Sequence, residues 1–144
     1  MSGTVDPGRE AKVRASFARQ NLMATFGAEI VALGPGECRI EAPILPAARQ
    51  QHEVGHAGLT FALGDSAAGY AALTLMPEEA EVMTAEMKIN LLAPARGERL
   101  VATGRVVKAG RRLTVVTAEV AVEAAGETRL IAVLQGTMVA VIPG

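Results

Sequence analysis

The 144-residue chain has no tryptophan, one tyrosine and three phenylalanines, so Ala, Val, Leu and Gly must do the packing. A single cysteine, Cys38, excludes an internal disulfide and fits a reducing compartment. Two histidines without a cysteine pair give no metal-binding constellation, and there is no glycine-rich phosphate loop or dinucleotide fingerprint. Neither a metal nor a cofactor is therefore expected. Acidic and basic residues nearly cancel to a net charge of -1, which removes any general attraction to nucleic acid or acidic membranes. Met1 to Val13 lacks an apolar core of signal-peptide length, and Gly, Asp and other charged residues interrupt the longest apolar runs. A soluble, cytoplasmic protein is the default expectation.

Half of the residues are hydrophobic, in a length that fits one domain, residues 1–144, with a sizeable core. The stretch from Gln50 to Tyr70 organises the rest. It opens polar and turn-like, and from Ala57 it becomes small and apolar with no proline until Pro77. That pattern predicts a buried helix, roughly Ala57 to Leu75, entered from a polar loop. Asp65 lies in its middle, with no cation three or four residues away to pair with it. A carboxylate in such a helix is paired, solvated by a cleft, or functional.

The flanking chain reads as follows. Met1 to Gly8 is expected to be loose, and Arg9 to Ala24 to be one short amphipathic helix ended by Gly27. Ala28 to Leu33 and Cys38 to Ala42 form a hairpin across Gly34-Pro35-Gly36-Glu37, and Pro43 to Gly55 is a loop. After the helix come four long strands: Glu81 to Leu92, Glu98 to Lys108, Leu113 to Glu123 and Thr128 to Ile142. In the first of them Val82, Thr84, Glu86, Lys88 and Asn90 share one parity. Long antiparallel strands curl, and a curled sheet can wrap one helix. The class is α+β: a hotdog fold, about six antiparallel strands around one long helix.

Specific residues carry a resemblance. Gln50 stands six residues before His56-Ala57-Gly58, and Leu63-Gly64-Asp65-Ser66 follows. Thr84 to Ala95 then runs through Lys88-Ile89-Asn90-Leu91 to Leu92-Ala93-Pro94-Ala95. The chain resembles the hotdog-fold acyl-CoA thioesterases of the PaaI type, whose pattern is Asn or Gln, His-Gly-Gly, Leu-Ala-Asp-Ser/Thr and a strand ending in a Pro-Ala turn. Ala57 and Gly64 depart from that pattern, although Ala57 keeps its backbone N–H.

The resemblance implies hydrolysis of an acyl-CoA to free acid and CoA. Asp65 would be nucleophile or general base, and the sequence does not separate the two. Ala57, with Gly58, would supply oxyanion donors at the helix start, where amides are unpaired and the dipole is positive. A purely packing role for Gly58 is the competing reading. His56 and Gln50 would contact the thioester and orient the loop; a helix-capping His56 is as well supported. Thr84 would hold the water or the acid. The nucleotide of CoA would meet the basic turn Lys108, Ala109, Gly110, Arg111, Arg112 and Leu113, with Arg96, Asn90 and Leu91 as further contacts; a merely solvated hairpin is the alternative. Cys38, Tyr70 and the methionines are expected to pack.

Ala57 and Asp65 are eight positions apart, which at the helical rise is about 12 Å along the axis. One helix cannot bring both to one carbonyl, so the site is expected between two subunits of a homodimer or dimer of dimers. Two other functions compete. A hotdog dehydratase of hydroxyacyl thioesters needs a differently placed His and acid. A non-catalytic acyl-CoA-binding sensor is expected to carry an added DNA-binding segment, for which 144 residues leave no room.

Overall fold

The computed structural model describes residues 3–143. In chain order the elements are α1 (Pro7–Ala18), α2 (Asn21–Phe26), β1 (Glu29–Gly34), β2 (Glu37–Pro43), a 3₁₀ turn (Pro46–Ala48), α3 (Ala57–Leu73), β3 (Glu81–Leu91), β4 (Arg99–Ala109), β5 (Leu113–Ala124) and β6 (Glu127–Val141). The strands form one antiparallel sheet in the order β1-β2-β4-β5-β6-β3. The sheet wraps α3, which is the expected hotdog architecture.

A helix that is apolar all round has no solvent face, and α3 is buried along most of its length, from Leu59 and Leu63 to Ala71, Ala72 and Leu73. Small side chains let the sheet come close. At Gly104 of β4, a Cβ would overlap the backbone of Ala67 and Ala68 on α3, so only glycine allows this crossing. Around it Ile40, Leu63, Leu100, Val116, Val120, Ile131 and Met138 close a largely aliphatic core, with Tyr70 its one fully enclosed aromatic among the described residues. Full burial of one such aliphatic side chain stabilises the fold by about 2 kcal/mol. Cys38 is part of this core, and burial pushes its thiol up to about 12, so it packs as expected rather than reacts.

Three expectations need correction. Helix α1 begins at Pro7, not Arg9, because the Asp6 carboxylate accepts from Gly8 and Arg9 N–H and proline suits the first helical position. Of the segment expected to be loose, Val5 is buried, and Met1 and Ser2 lie outside the described residues. The N-terminal helix is also broken at Arg19 and Gln20. The break turns α2 so that Met23 reaches the core, and Gly27 then ends α2 in the left-handed region as expected.

The third correction concerns β3. Its pairing with β6 slips between Thr84 and Glu86, which leaves Ala85 as a bulge. Val82 and Thr84 line a cavity beside α3, whereas beyond the bulge Met87 and Ile89 turn to the core. Glu86, Lys88 and Asn90 therefore do not share a face with Thr84. Lys88 and Asn90 lie in a groove on the outer face of the sheet with Arg105, Thr117 and Gln135.

Candidate active site

Two cavities flank α3, and the predicted catalytic residues divide between them. The first, about 540 Å³, lies at the helix start, lined by Gln50, His56, Ala57 and Thr60 on one side and by Leu91 to Ala95 on the other. The loop that forms it is tied down by backbone bonds from Gly55 N–H to Ala95 and from His56 N–H to Ala48. Gln50 folds back on its own turn, its Oε1 accepting from the His52 amide and its N–H donating to Val54.

His56 is the N-cap of α3: its Nδ1 accepts from Gly58 N–H at 2.7 Å. The two readings of this residue thus meet in one side chain, which caps the helix and also lines the cleft. Accepting at Nδ1 fixes the neutral imidazole as the Nε2–H tautomer, which makes Nε2 a donor. The same contact explains Gly58, since a Cβ there would stand 2.9 Å from His56 Nδ1. It also engages the Gly58 amide. Ala57 N–H makes no hydrogen bond among the described residues. At the positive end of α3 it is the donor left for a ligand.

The second cavity, about 280 Å³, lies beside the middle of α3 and contains Asp65. Thr84 Oγ1 donates to Asp65 Oδ1 at 2.7 Å. The second carboxylate oxygen makes no hydrogen bond among the described residues. Burial raises the Asp65 pKa above the ordinary carboxylate range, and the Thr84 hydrogen bond opposes that rise. The bulge at Ala85 is what keeps Thr84 aimed at the acid.

Sequence reasoning missed the far wall of this cavity. Ser16 and Gln20, at the elbow between α1 and α2, meet Tyr70: Gln20 Nε2 donates to its hydroxyl at 2.9 Å, and Ser16 Oγ lies 3.1 Å from it. Phe17 holds the Tyr70 ring edge-on at a centroid distance of 5.9 Å. The signal was available, because a tyrosine hydroxyl inside a buried helix requires a partner.

The residues expected to meet CoA fall at opposite ends of the sheet. The turn from Lys108 to Leu113 is exposed, closed by Gly110 N–H to Leu113, and lies next to the Thr84–Met138–Thr114 row. Lys108, Arg111 and Arg112 form no salt bridge among the described residues. Arg96 lies by the helix-start cleft, about 30 Å away along the strands. Among the described residues no group of three His, Cys, Asp or Glu is placed to hold a metal ion, and no helix is long and apolar enough to cross a membrane.

A family model described as the thioesterase superfamily matches residues 52–128. The chain belongs to the thioesterase superfamily. Its matched span includes His56, Ala57, Asp65 and Thr84, and the family's activity is thioester hydrolysis. A thioesterase family protein from Silicibacter pomeroyi is 49% identical, over 94% of this chain and 99% of that one, with a TM-score of 0.92. A conserved protein from Pseudomonas aeruginosa is 30% identical over 83% of this thioesterase and 93% of its own length, with a TM-score of 0.75. The PaaI protein of the Escherichia coli phenylacetic acid degradation operon shares the fold, with a TM-score of 0.83 at 19% identity, covering 96% of each chain. No match was found among curated proteins.

Proposed function

We propose that this thioesterase hydrolyses an acyl-CoA at a site shared by two subunits. Asp65 of one subunit acts as general base, and the start of α3 in the other holds the carbonyl. The observation that carries this reading is the partition described above: the α3 start amide that is unengaged among the described residues and the acid line separate cavities on one chain.

The sheet offers a way to join them. Strand β3 is an edge strand of 11 residues whose run from Met83 to Glu86 is exposed. A long open edge favours pairing with a second copy. Antiparallel pairing of β3 with its own copy, centred near Lys88, would set Thr84 of one subunit against Leu91 and Leu92 of the other. Those leucines border the Ala57 cleft. The same operation would bring the Lys108–Arg112 turn of one subunit and Arg96 of its partner to one end of the joined sheet. Either turn is then positioned for the phosphates of CoA.

In the reaction Asp65 takes a proton from water as the water oxygen bonds to the carbonyl carbon. The charge that develops on the carbonyl oxygen is met by Ala57 N–H and His56 Nε2–H. Collapse breaks the carbon–sulfur bond, and the proton passes to the departing thiolate, giving acid and CoA. Desolvation suits this base role, because it moves Asp65 toward the pKa at which a carboxylate accepts protons well.

Thiol release from a panel of acyl-CoA esters tests the activity. A single turnover in ¹⁸O-water then tests the role: label in the product acid only supports the base, and ¹⁶O transferred from the enzyme into product supports a nucleophile. No thiol release from any ester would remove the proposal.

A further inference from the structure

Resting on the reading of Asp65 as the base, we infer that its cavity is the entry port for the hydrolytic water, with Gln20 and Ser16 at the α1–α2 elbow as positioning residues. Hydrolysis has two reactants, and they need different surroundings. The thioester brings an acyl group and a long CoA arm, to which the helix-start cleft offers Leu91, Leu92, Ala93 and Pro94. Water needs hydrogen-bonding partners and a path from solvent. The Asp65 cavity supplies both. Its lining is mostly polar: Ser16, Gln20, Asp65, Ser66, Thr84 and the hydroxyl of Tyr70.

The unengaged atoms mark where water binds. The Tyr70 hydroxyl accepts from Gln20 Nε2 at 2.9 Å and meets Ser16 Oγ at 3.1 Å, and Thr84 Oγ1 donates to Asp65 Oδ1. Among the described residues that leaves Asp65 Oδ2, Ser66 Oγ and Gln20 Oε1 without a protein partner, and none of the three is sealed from solvent. A bound water makes about three hydrogen bonds, and a carboxylate, a hydroxyl and an amide oxygen around one space can take them. The cavity, about 280 Å³, has room for several waters at roughly 30 Å³ each. Gln20 stands at the N-cap position of α2 yet makes no cap there, and its side chain turns to Tyr70 instead. Val82 and Thr84 lie on the edge strand β3, which the second subunit would cover. Ser16 and Gln20, half-buried on a separate element, keep a mouth to solvent once that edge is paired. Water entering there reaches Asp65 without crossing the thioester cleft.

Two substitutions alter the port and spare Asp65 and Thr84. Gln20→Leu keeps the bulk and removes both polar atoms. Ser16→Ala is milder, at a helical position that accepts alanine. Each protein is compared with wild type on one well-hydrolysed acyl-CoA ester, in water and in dilute methanol. In the side reaction the methanol oxygen bonds to the carbonyl carbon and the carbon–sulfur bond breaks. The methanol proton passes through Asp65 to the thiolate, giving methyl ester and CoA. An apolar port favours the nucleophile that carries a methyl group, by roughly fourfold per buried carbon. Gln20→Leu should therefore raise the ratio of methyl ester to acid about fourfold. It should also lower kcat for hydrolysis about tenfold, with KM unchanged. Ser16→Ala should move the ratio the same way by less, and it decides alone if Gln20→Leu does not fold. An unchanged ratio, whatever happens to kcat, would make the elbow merely structural and overturn the port while leaving the hydrolase reading intact.

If wild type hydrolyses no ester, the Asp65 carboxyl is titrated by ¹³C NMR in the same proteins. Besides Asp65, the one titratable group lining the cavity among the described residues is Tyr70; the elbow, β3 and β6 bring Ser16, Gln20, Val82, Thr84 and Met138. Water held at Oδ2 solvates the carboxylate, so Gln20→Leu should shift the titration to higher pH. That shift supports the water site although the hydrolase reading falls; a titration that stays in place overturns it.

Discussion

The cleft at the start of α3 offers donors, whereas the cavity beside its middle offers an acceptor. At the start, Ala57 N–H and His56 Nε2–H lie in an open, exposed cleft, and the helix end itself carries partial positive charge. Beside the middle, Asp65 is half-buried against Tyr70, Thr84 and Met138, and desolvation makes its carboxylate more basic. A donor set tolerates water well because its charge is fixed in the backbone. A base gains from losing water, since burial tunes its proton affinity. The comparison teaches why one helix can carry both functions and yet cannot join them: the features that favour each lie a dozen ångströms apart, at roughly 1.5 Å per residue.

The largest effect should come from the acceptor side. Asp65→Asn keeps the shape and the Thr84 contact but removes the base, so kcat should fall about a thousandfold. The same change should leave the melting temperature equal or higher at neutral pH. The sign follows from linkage. The folded pKa is raised, so between the unfolded and folded values the native state binds more protons, and stability falls as pH rises through that window. Removing the carboxylate removes that loss. Kinetics and thermal melts of the two proteins, measured together, separate the catalytic effect from unfolding.

A smaller effect separates the two regions by pH. In wild type, kcat/KM should fall as pH drops through the raised Asp65 pKa. Thr84→Val removes the hydrogen bond that opposes the rise, so the acid limb should move to higher pH, with a rate loss of about tenfold or less. A limb that stays in place would mean that Thr84 does not act on the acid. The smallest effect belongs to the basic turn. Arg111→Ala with Arg112→Ala should raise KM for acyl-CoA roughly threefold to tenfold, with kcat unchanged, and the effect should shrink in high salt. An unchanged KM would make that turn a solvated hairpin.

Much of the architecture was legible in the residues, for definite reasons. Alternation and turn chemistry mark β1, β2, β4, β5 and β6 to within about two residues, and the uninterrupted small apolar run marks α3. The bulge at Ala85 was not legible, because a period-two pattern cannot announce its own slip; it is stabilised by Thr84 meeting Asp65 from a distant element. The helix break at Gln20 was hidden for a similar reason, since its side chain is drawn to Tyr70 fifty residues away. At the site, Asp65 stood out as an unpaired acid and Ala57 as a helix start. His56 could not be assigned from sequence, because the imidazole that caps the helix also faces the cleft. Ser16 and Gln20 could not be named from sequence: a buried tyrosine hydroxyl calls for a partner, but only the tertiary fold sets these two side chains against Tyr70.

The measurement that bears most directly on the shared site is complementation between two inactive chains. Ala57→Pro deletes the helix-start N–H at a position where proline is tolerated, and the extended His56 backbone before it, at ψ 144°, is what proline prefers. Asp65→Asn deletes the acid. Each protein alone should be nearly inactive. Co-expressed and purified as a mixed dimer by two different affinity tags, they would form one site with both defects and one with none. Activity recovered to about half of the wild-type value per dimer is the predicted result. A mixed dimer as inactive as its parents would place Ala57 and Asp65 of the same chain at the same carbonyl, and would contradict the account.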